Sequence, residues 1–475
     1  MSLTHRSLFP LVPQADPAQE ARQLHTEGGL VPVRLPGDVA AWAAVDHTTA
    51  QLVLGHPDLT KDAAYWPDLA SGRVPDHWEL IAVIRGAGML HAGGDDHRRL
   101  RKLASSAFTR APIAALEGRI TEIAGQLLDD LAAADPREPV DLRDRFAYRL
   151  PVRVICEVLG VPDTAVSGLR DAFERLVTPQ EDGAEDIRVA QAEIHRSLTA
   201  LIATKRAAPG DDLTSALIQA RDDGDRLSEE ELVETLFLIL IAGHETTLNL
   251  ISSAVHALLE HPEKLAHVRE AARGGSGGGT CPYAHGGGRG VRTDAGADDG
   301  SADTDAEADD TGVKADDTGV KADDMDTGMD TDIADPDDGI WTALVDETLR
   351  FSSPVRHALM RYAVEDVDIA GVRVARGEPV LAGLFAAGRD PGRHTEPDVF
   401  DPARPTRRDH LAFGHGAHYC LGARLARLEA RIALAALFTR YPDLEAAGTP
   451  ERLASISVQG VRALPVRLNA GRPRG

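Results

Sequence analysis

The stretch from Phe413 to Gly422, Phe-Gly-His-Gly-Ala-His-Tyr-Cys-Leu-Gly, restricts what this chain can fold into more than any other. It sets Cys420 in a glycine-rich loop directly before the amphipathic run Leu421 to Tyr441. Gly414 and Gly416 permit turns closed to residues with side chains, so neighbouring N–H groups can point at the sulfur. The start of the following helix adds positive potential at the same place. Both effects favour thiolate over thiol, and a thiolate is the form that ligates a metal. A buried, inert cysteine is the common fate of a lone thiol. That reading leaves Phe413, the paired glycines, His418 and Gly422 without a shared purpose.

Elsewhere the pattern is mainly helical. Apolar residues recur three and four apart over Ala114–Ala133, Leu150–Leu159, Val189–Lys205 and Ser228–Glu260. The last run opens with Ser228 as N-cap and Glu231 completing a capping box, and at 1.5 Å per residue it spans roughly 50 Å. Its apolar middle gives way to Ala242-Gly-His-Glu-Thr-Thr247. Glycine and threonine are weak helix formers, and a threonine hydroxyl can bond the carbonyl four residues back and bend the helix. Strand-like pieces are short: Val31–Leu35, Ala41–Val45 and Asp366–Val374, with proline and glycine punctuation between Arg361 and Phe413. The pattern predicts a mainly α fold with small β-sheets.

The formal charge of −24 is concentrated in one place. Between Asp294 and Asp338 there are 18 acidic residues against Lys314 and Lys321, a net of −16, which leaves −8 for everything else. The low-complexity segment 274–338 opens with a glycine run and repeats Asp-Asp-Thr-Gly-Val-Lys-Ala from Asp309 and from Asp316. It has no apolar pair at coiled-coil spacing and lacks a calcium-loop pattern, so disorder is the expectation. Helical text flanks it on both sides, which predicts one domain from 1–273 and 339–475 interrupted by an acidic insertion. No basic stripe suits nucleic acid. Three cysteines, a proline-rich start at Met1 to Gln19 and no run of about 20 apolar residues predict a soluble cytoplasmic protein without membrane insertion.

At Phe413–Gly422 the chain resembles the cytochrome P450 family, whose loop reads Phe-Gly-x-Gly-x-His/Arg-x-Cys-x-Gly. The resemblance implies the triangular, α-rich P450 fold, haem b as cofactor, and Cys420 as axial ligand to its iron, with Phe413, Gly414 and Gly422 shaping the loop. Ala242-Gly243-His-Glu245-Thr246 resembles the family's acid–alcohol pair, which implies Thr246 beside bound dioxygen and Glu245 relaying protons. His97 and Arg101, four apart, resemble the clamp on the haem propionates; Arg361 and His418 stand where the family has two further contacts. Glu347 and Arg350, with Arg404 downstream, resemble the family's structural Glu-x-x-Arg network.

No flavin or nicotinamide motif is present, so the resemblance implies electrons from a ferredoxin fed by an NAD(P)H-dependent reductase. Arg98, Arg99, Lys102, Arg110, Arg424 and Arg427 are expected to form a basic face for that partner. Asp62-Ala-Ala-Tyr-Trp-Pro and His77-Trp-Glu-Leu-Ile resemble the actinobacterial branch numbered 154. That resemblance implies hydroxylation with O2 of a bulky apolar secondary metabolite (macrolide, steroid-like or polycyclic). Oxidative cyclisation or aromatic coupling by the same haem is the alternative. A haem sensor without turnover is disfavoured by the Glu245–Thr246 pair.

Overall fold

The computed structural model describes residues 3, 6–74, 78, 80–84, 88–105, 108–133, 135, 138–162, 168–169, 171–172, 175, 184–219, 227–273 and 339–468. The acidic segment 274–338 lies outside the described residues, as do His77 and Glu79.

In chain order the principal helices are α1 (Pro17–Glu27), α2 (His47–Gly55), α3 (Gly94–Ser105), α4 (Glu117–Ala132) and α5 (Arg149–Val158). They continue as α6 (Ala184–Ala207), α7 (Glu229–Glu260), α8 (Pro262–Arg273), α9 (Ile340–Phe351) and α10 (Ala423–Arg440). The longest, α7, starts where the capping residues predict. Ser228 Oγ accepts from the Glu231 N–H at 3.1 Å, and the Glu231 carboxylate accepts from the Ser228 N–H at 2.8 Å. The helix runs 32 residues without a break through the glycine–threonine segment. Among the described residues α7 is the one helix long and apolar enough to cross a membrane, but 61% of its most apolar window is buried in the protein.

The two halves of α7 serve different cores. Its C-terminal half packs with α4, α5, α8, α9 and α10 in one apolar cluster that includes Ile251, Leu344, Leu434 and Phe438. Its N-terminal half packs with α3, α5 and α6 through Leu236, Leu240, Leu100, Ile155 and Leu198. Chain on both sides of the acidic segment therefore shares one core.

The strands are β1 (Phe9–Pro10), β2 (Leu30–Leu35), β3 (Val39–Ala44), β4 (Leu59–Thr60), β5 (Val140–Asp141) and β6 (Ala358–Ala363). They continue as β7 (Val367–Ile369), β8 (Val372–Val374), β9 (Pro379–Ala382), β10 (Glu445–Ala446) and β11 (Pro465–Arg467). The largest sheet has the order β1-β2-β3-β9-β6-β4. Alternate residues of β3 enter opposite clusters, Ala41 and Ala43 on one face and Trp42 and Ala44 on the other, so this sheet is buried on both sides. The run Asp366–Val374 is a hairpin, β7 to β8, turning at Ala370 and Gly371, both at positive φ. The run Ala114–Ala133 is split at Leu116, where a short helix ends and α4 begins.

Candidate active site

The cysteine loop is built from backbone turns. Gly414 and Gly416 have φ of 76° and 70°, and the Cys420 N–H donates to the Phe413 carbonyl at 2.9 Å, closing the loop. Gly416 also lies against the end of α2: a Cβ there would sit 3.1 Å from Gly55 Cα and 3.3 Å from the Leu54 carbonyl oxygen. Gly422 is the N-cap of α10, and a Cβ there would sit 3.9 Å from Cys420 Sγ. Phe413 packs on the main core and carries the Arg427 guanidinium 4.5 Å above its ring.

Cys420 is exposed to water yet closely surrounded by protein, so it lines a recess. Crowding is the larger influence on its thiol and pushes it above the ordinary value, against the Gly422 N–H, Arg101 and Arg427, which pull it down. The Gly422 N–H and the two arginines thus act on the sulfur in the direction expected of the loop, burial opposes them, and a metal cation at the sulfur would favour the thiolate further. Cys156, buried with no such partners, is pushed up to about 12.

Three elements bring basic side chains together at this recess. His97 and Arg101 come from α3, Arg361 from β6 and His418 from the loop itself. The rings of His97 and His418 lie 4.0 Å apart, and Arg101 Nη2 donates to the Tyr419 carbonyl at 2.7 Å. Arg361 is 4% exposed; its Nη2 reaches the Leu54 carbonyl at 3.4 Å, and its Nη1 has no partner. His97 Nε2 is likewise buried without a partner. The structure adds Lys61, which sequence reasoning missed: it follows β4, and its Nζ donates to the Leu359 carbonyl at 2.9 Å. Burial and the neighbouring cations hold His97 down to about 4 and His418 to about 2. Among the described residues no carboxylate forms an ion pair with any of these five groups.

On α7, Gly243 is favoured by packing, since a Cβ there would lie 3.0 Å from Ile155 Cδ1 on α5. Ala242 is exposed although Leu240 and His244 on the same helix are buried, which marks a face turned to a recess. Ile241 and Leu421, the neighbours of Ala242 and Cys420, pack on the same apolar cluster. Thr246 Oγ1 donates to the Ala242 carbonyl at 2.9 Å, and Thr247 Oγ1 to that of Gly243 at 3.3 Å. Burial raises the Glu245 carboxyl, and the Arg143 charge opposes the rise. Arg143, from a π-turn spanning Arg143–Tyr148, is the second site residue without a sequence signal.

The Glu347–Arg350–Arg404 set is brought together as expected by resemblance. Arg350 donates twice to the Glu347 carboxylate, at 2.7 and 2.8 Å, with both side chains fully buried. Arg404 Nε reaches Glu347 Oε1 at 3.4 Å, and the Asp401 N–H donates to the same oxygen at 2.8 Å. The residues expected to form a basic face are placed unequally: Arg98, Lys102 and Arg110 are exposed, and Arg99, Arg424 and Arg427 are half-buried. Arg427 is held by Asp346 at 3.1 Å, Arg99 by Glu231 and Arg98 by Asp95.

The donor set fits an iron porphyrin: a recessed sulfur that a cation would ionise, and two buried nitrogens without partners, Arg361 Nη1 and His97 Nε2, in a basic cluster that two porphyrin carboxylates would complete. A family model described as Cytochrome P450 matches residues 173–278 and 340–452. The 2-hydroxy-5-methyl-1-naphthoate 7-hydroxylase of Streptomyces carzinostaticus is 33% identical over 460 residues, 96% of this chain and 95% of that protein. Cytochrome P450 monooxygenase PikC of Streptomyces venezuelae is 34% identical over 465 residues, 97% of this chain and 93% of that one. Among solved structures, CYP154C4 from Streptomyces sp. W2061 matches with a TM-score of 0.78 at 33% identity, covering 98% of both chains.

Proposed function

This chain belongs to the cytochrome P450 family, and on that premise we propose that it hydroxylates a bulky apolar secondary metabolite with electrons from a ferredoxin. It is a monooxygenase with a haem-iron cofactor, and its neighbours in structure include the branch numbered 154. In this reading the cofactor is haem b, held by Cys420 at the iron and by His97, Arg101, Arg361 and His418 at the carboxylates. The observation that carries it is the convergence of a recessed Cys420 with a basic cluster that has no carboxylate of its own.

When bound, the haem supplies the redox and dioxygen chemistry. The chain's own residues do the rest. Ala242 turns a face of α7 to the recess, Gly243 lets α7 approach α5, and Thr246 holds a hydroxyl proton at Oγ1. Glu245, whose carboxyl burial shifts toward the protonated form, is placed beside Thr246 to pass a proton inward. Glu347, Arg350 and Arg404 fix the backbone behind the loop. The catalytic domain comprises 1–273 and 339–475, in the cytoplasm, with 274–338 as an acidic insertion. The naphthoate 7-hydroxylase relative supports an aromatic or polycyclic substrate.

The test begins with the reduced, carbon monoxide-treated protein, whose spectrum should show thiolate ligation and should lose it in Cys420→Ala. An imidazole-type spectrum in the parent overturns the assignment. A natural-product library is then screened for the low-to-high-spin shift, and product mass decides the reaction: one added oxygen for hydroxylation, loss of two hydrogens for cyclisation or coupling.

A further inference from the structure

Lys61 stands where the large sheet meets the basic cluster. Strand β4 pairs antiparallel with β6, Leu59 opposite Ala363 and Thr60 opposite Tyr362. One step further, the same register sets Lys61 across from Arg361. Like charges facing each other across a ladder repel. Neither finds a carboxylate: Lys61 Nζ bonds the Leu359 carbonyl, and Arg361 keeps one buried terminal nitrogen without a partner. The nearest acidic side chain in sequence is turned away, since Asp62 accepts from the Ala64 N–H at 2.9 Å. Burial beside Arg361 lowers Lys61 to about 7, and its charge reaches both His97 and His418. A cation pair of this kind is relieved by an anion placed between its members.

We propose that Lys61 is a haem-binding residue whose ammonium, with Arg361, neutralises one carboxylate of the porphyrin. This rests on the haem reading above. The competing role is a strand-end cap on the Leu359 carbonyl, which needs no porphyrin.

Haem and haem dimethyl ester, which lacks the two carboxylates, separate the roles. Each is loaded into the full-length parent, Lys61→Met and Lys61→Arg, and its release to apomyoglobin is timed. The proposal expects Lys61→Met to release haem about tenfold faster, the size of one lost charge-assisted contact. It expects release of the ester to stay unchanged and Lys61→Arg to retain haem nearly as the parent does. Equal acceleration for both porphyrins, or none for either, makes Lys61 a cap and overturns the proposal. Lys61→Gln repeats the comparison should the Met variant fold poorly. A parent lacking the thiolate spectrum overturns the Cys420 assignment, while the haem-to-ester ratio still decides Lys61.

Discussion

Thr246 and Glu245 sit side by side on α7, but their surroundings differ. The Thr246 hydroxyl donates to the Ala242 carbonyl, so its lone pairs remain available to accept from a guest in the recess. Thr246→Ala removes that acceptor and leaves the helix intact. The variant is expected to keep haem and substrate binding while product per NAD(P)H falls about tenfold or more and hydrogen peroxide rises; unchanged coupling, measured by product and peroxide yields, removes Thr246 from proton handling. Glu245 is governed by burial, which raises its carboxyl, and by Arg143, which lowers it. Arg143→Met deletes the lowering influence, so Glu245 should titrate at higher pH than in the parent. A limb of the pH–rate profile that tracks Glu245 should move to higher pH in Arg143→Met, and a limb that stays in place refutes the coupling.

At the scale of elements, the close approach of α7 and α5 sets two effects against each other. Gly243→Ala gains up to about 1 kcal/mol of helix propensity. It also sets a methyl 3.0 Å from Ile155 Cδ1, and overpacking of this kind costs about 1–3 kcal/mol. The steric effect should win, lowering the melting temperature, and Ile155→Val in the same chain should recover most of the loss; a Gly243→Ala variant as stable as its parent contradicts the packing argument. The ionic set behind the cysteine loop obeys a different rule. Glu347→Gln leaves Arg350 and Arg404 buried with a neutral partner, and a loss of about 3–5 kcal/mol is expected by chemical denaturation. What the sequence made legible here is local. The Ser228–Glu231 box marked the start of α7, and Gly414, Gly416 and Cys420 marked the loop, because each signal lies within a few residues. What it hid is long-range. Lys61 enters the site only because β4 pairs with β6, some 300 residues away, and Arg427 leaves the open surface because it meets Asp346, 81 residues back. Strands β6 and β9 are buried on both faces and so show no alternation to read. The crowding that raises the Cys420 thiol is likewise a property of the assembled fold.

At the scale of the whole molecule, one buried carboxyl ties stability to pH: Glu429 on α10 lies in the core. It is 1% exposed, one of its carboxylate oxygens has no partner, and burial alone raises its carboxyl well above the ordinary 4.5. The sign of its effect follows from linkage. Below pH 4.5 both folded and unfolded chains hold the proton, and Glu429 does not favour unfolding through ionisation. As pH rises past that point the unfolded chain ionises while the folded one cannot, so stability falls until the folded carboxyl itself titrates. The limiting slope is about 1.4 kcal/mol per pH unit for one proton. Glu429→Gln removes the titration and keeps the shape. Unfolding free energies of parent and variant, measured by denaturant from pH 4 to pH 8, should therefore diverge in the variant's favour as pH rises. Parallel curves would mean that Glu429 ionises alike in both states and that its burial has no bearing on how the enzyme's stability responds to pH.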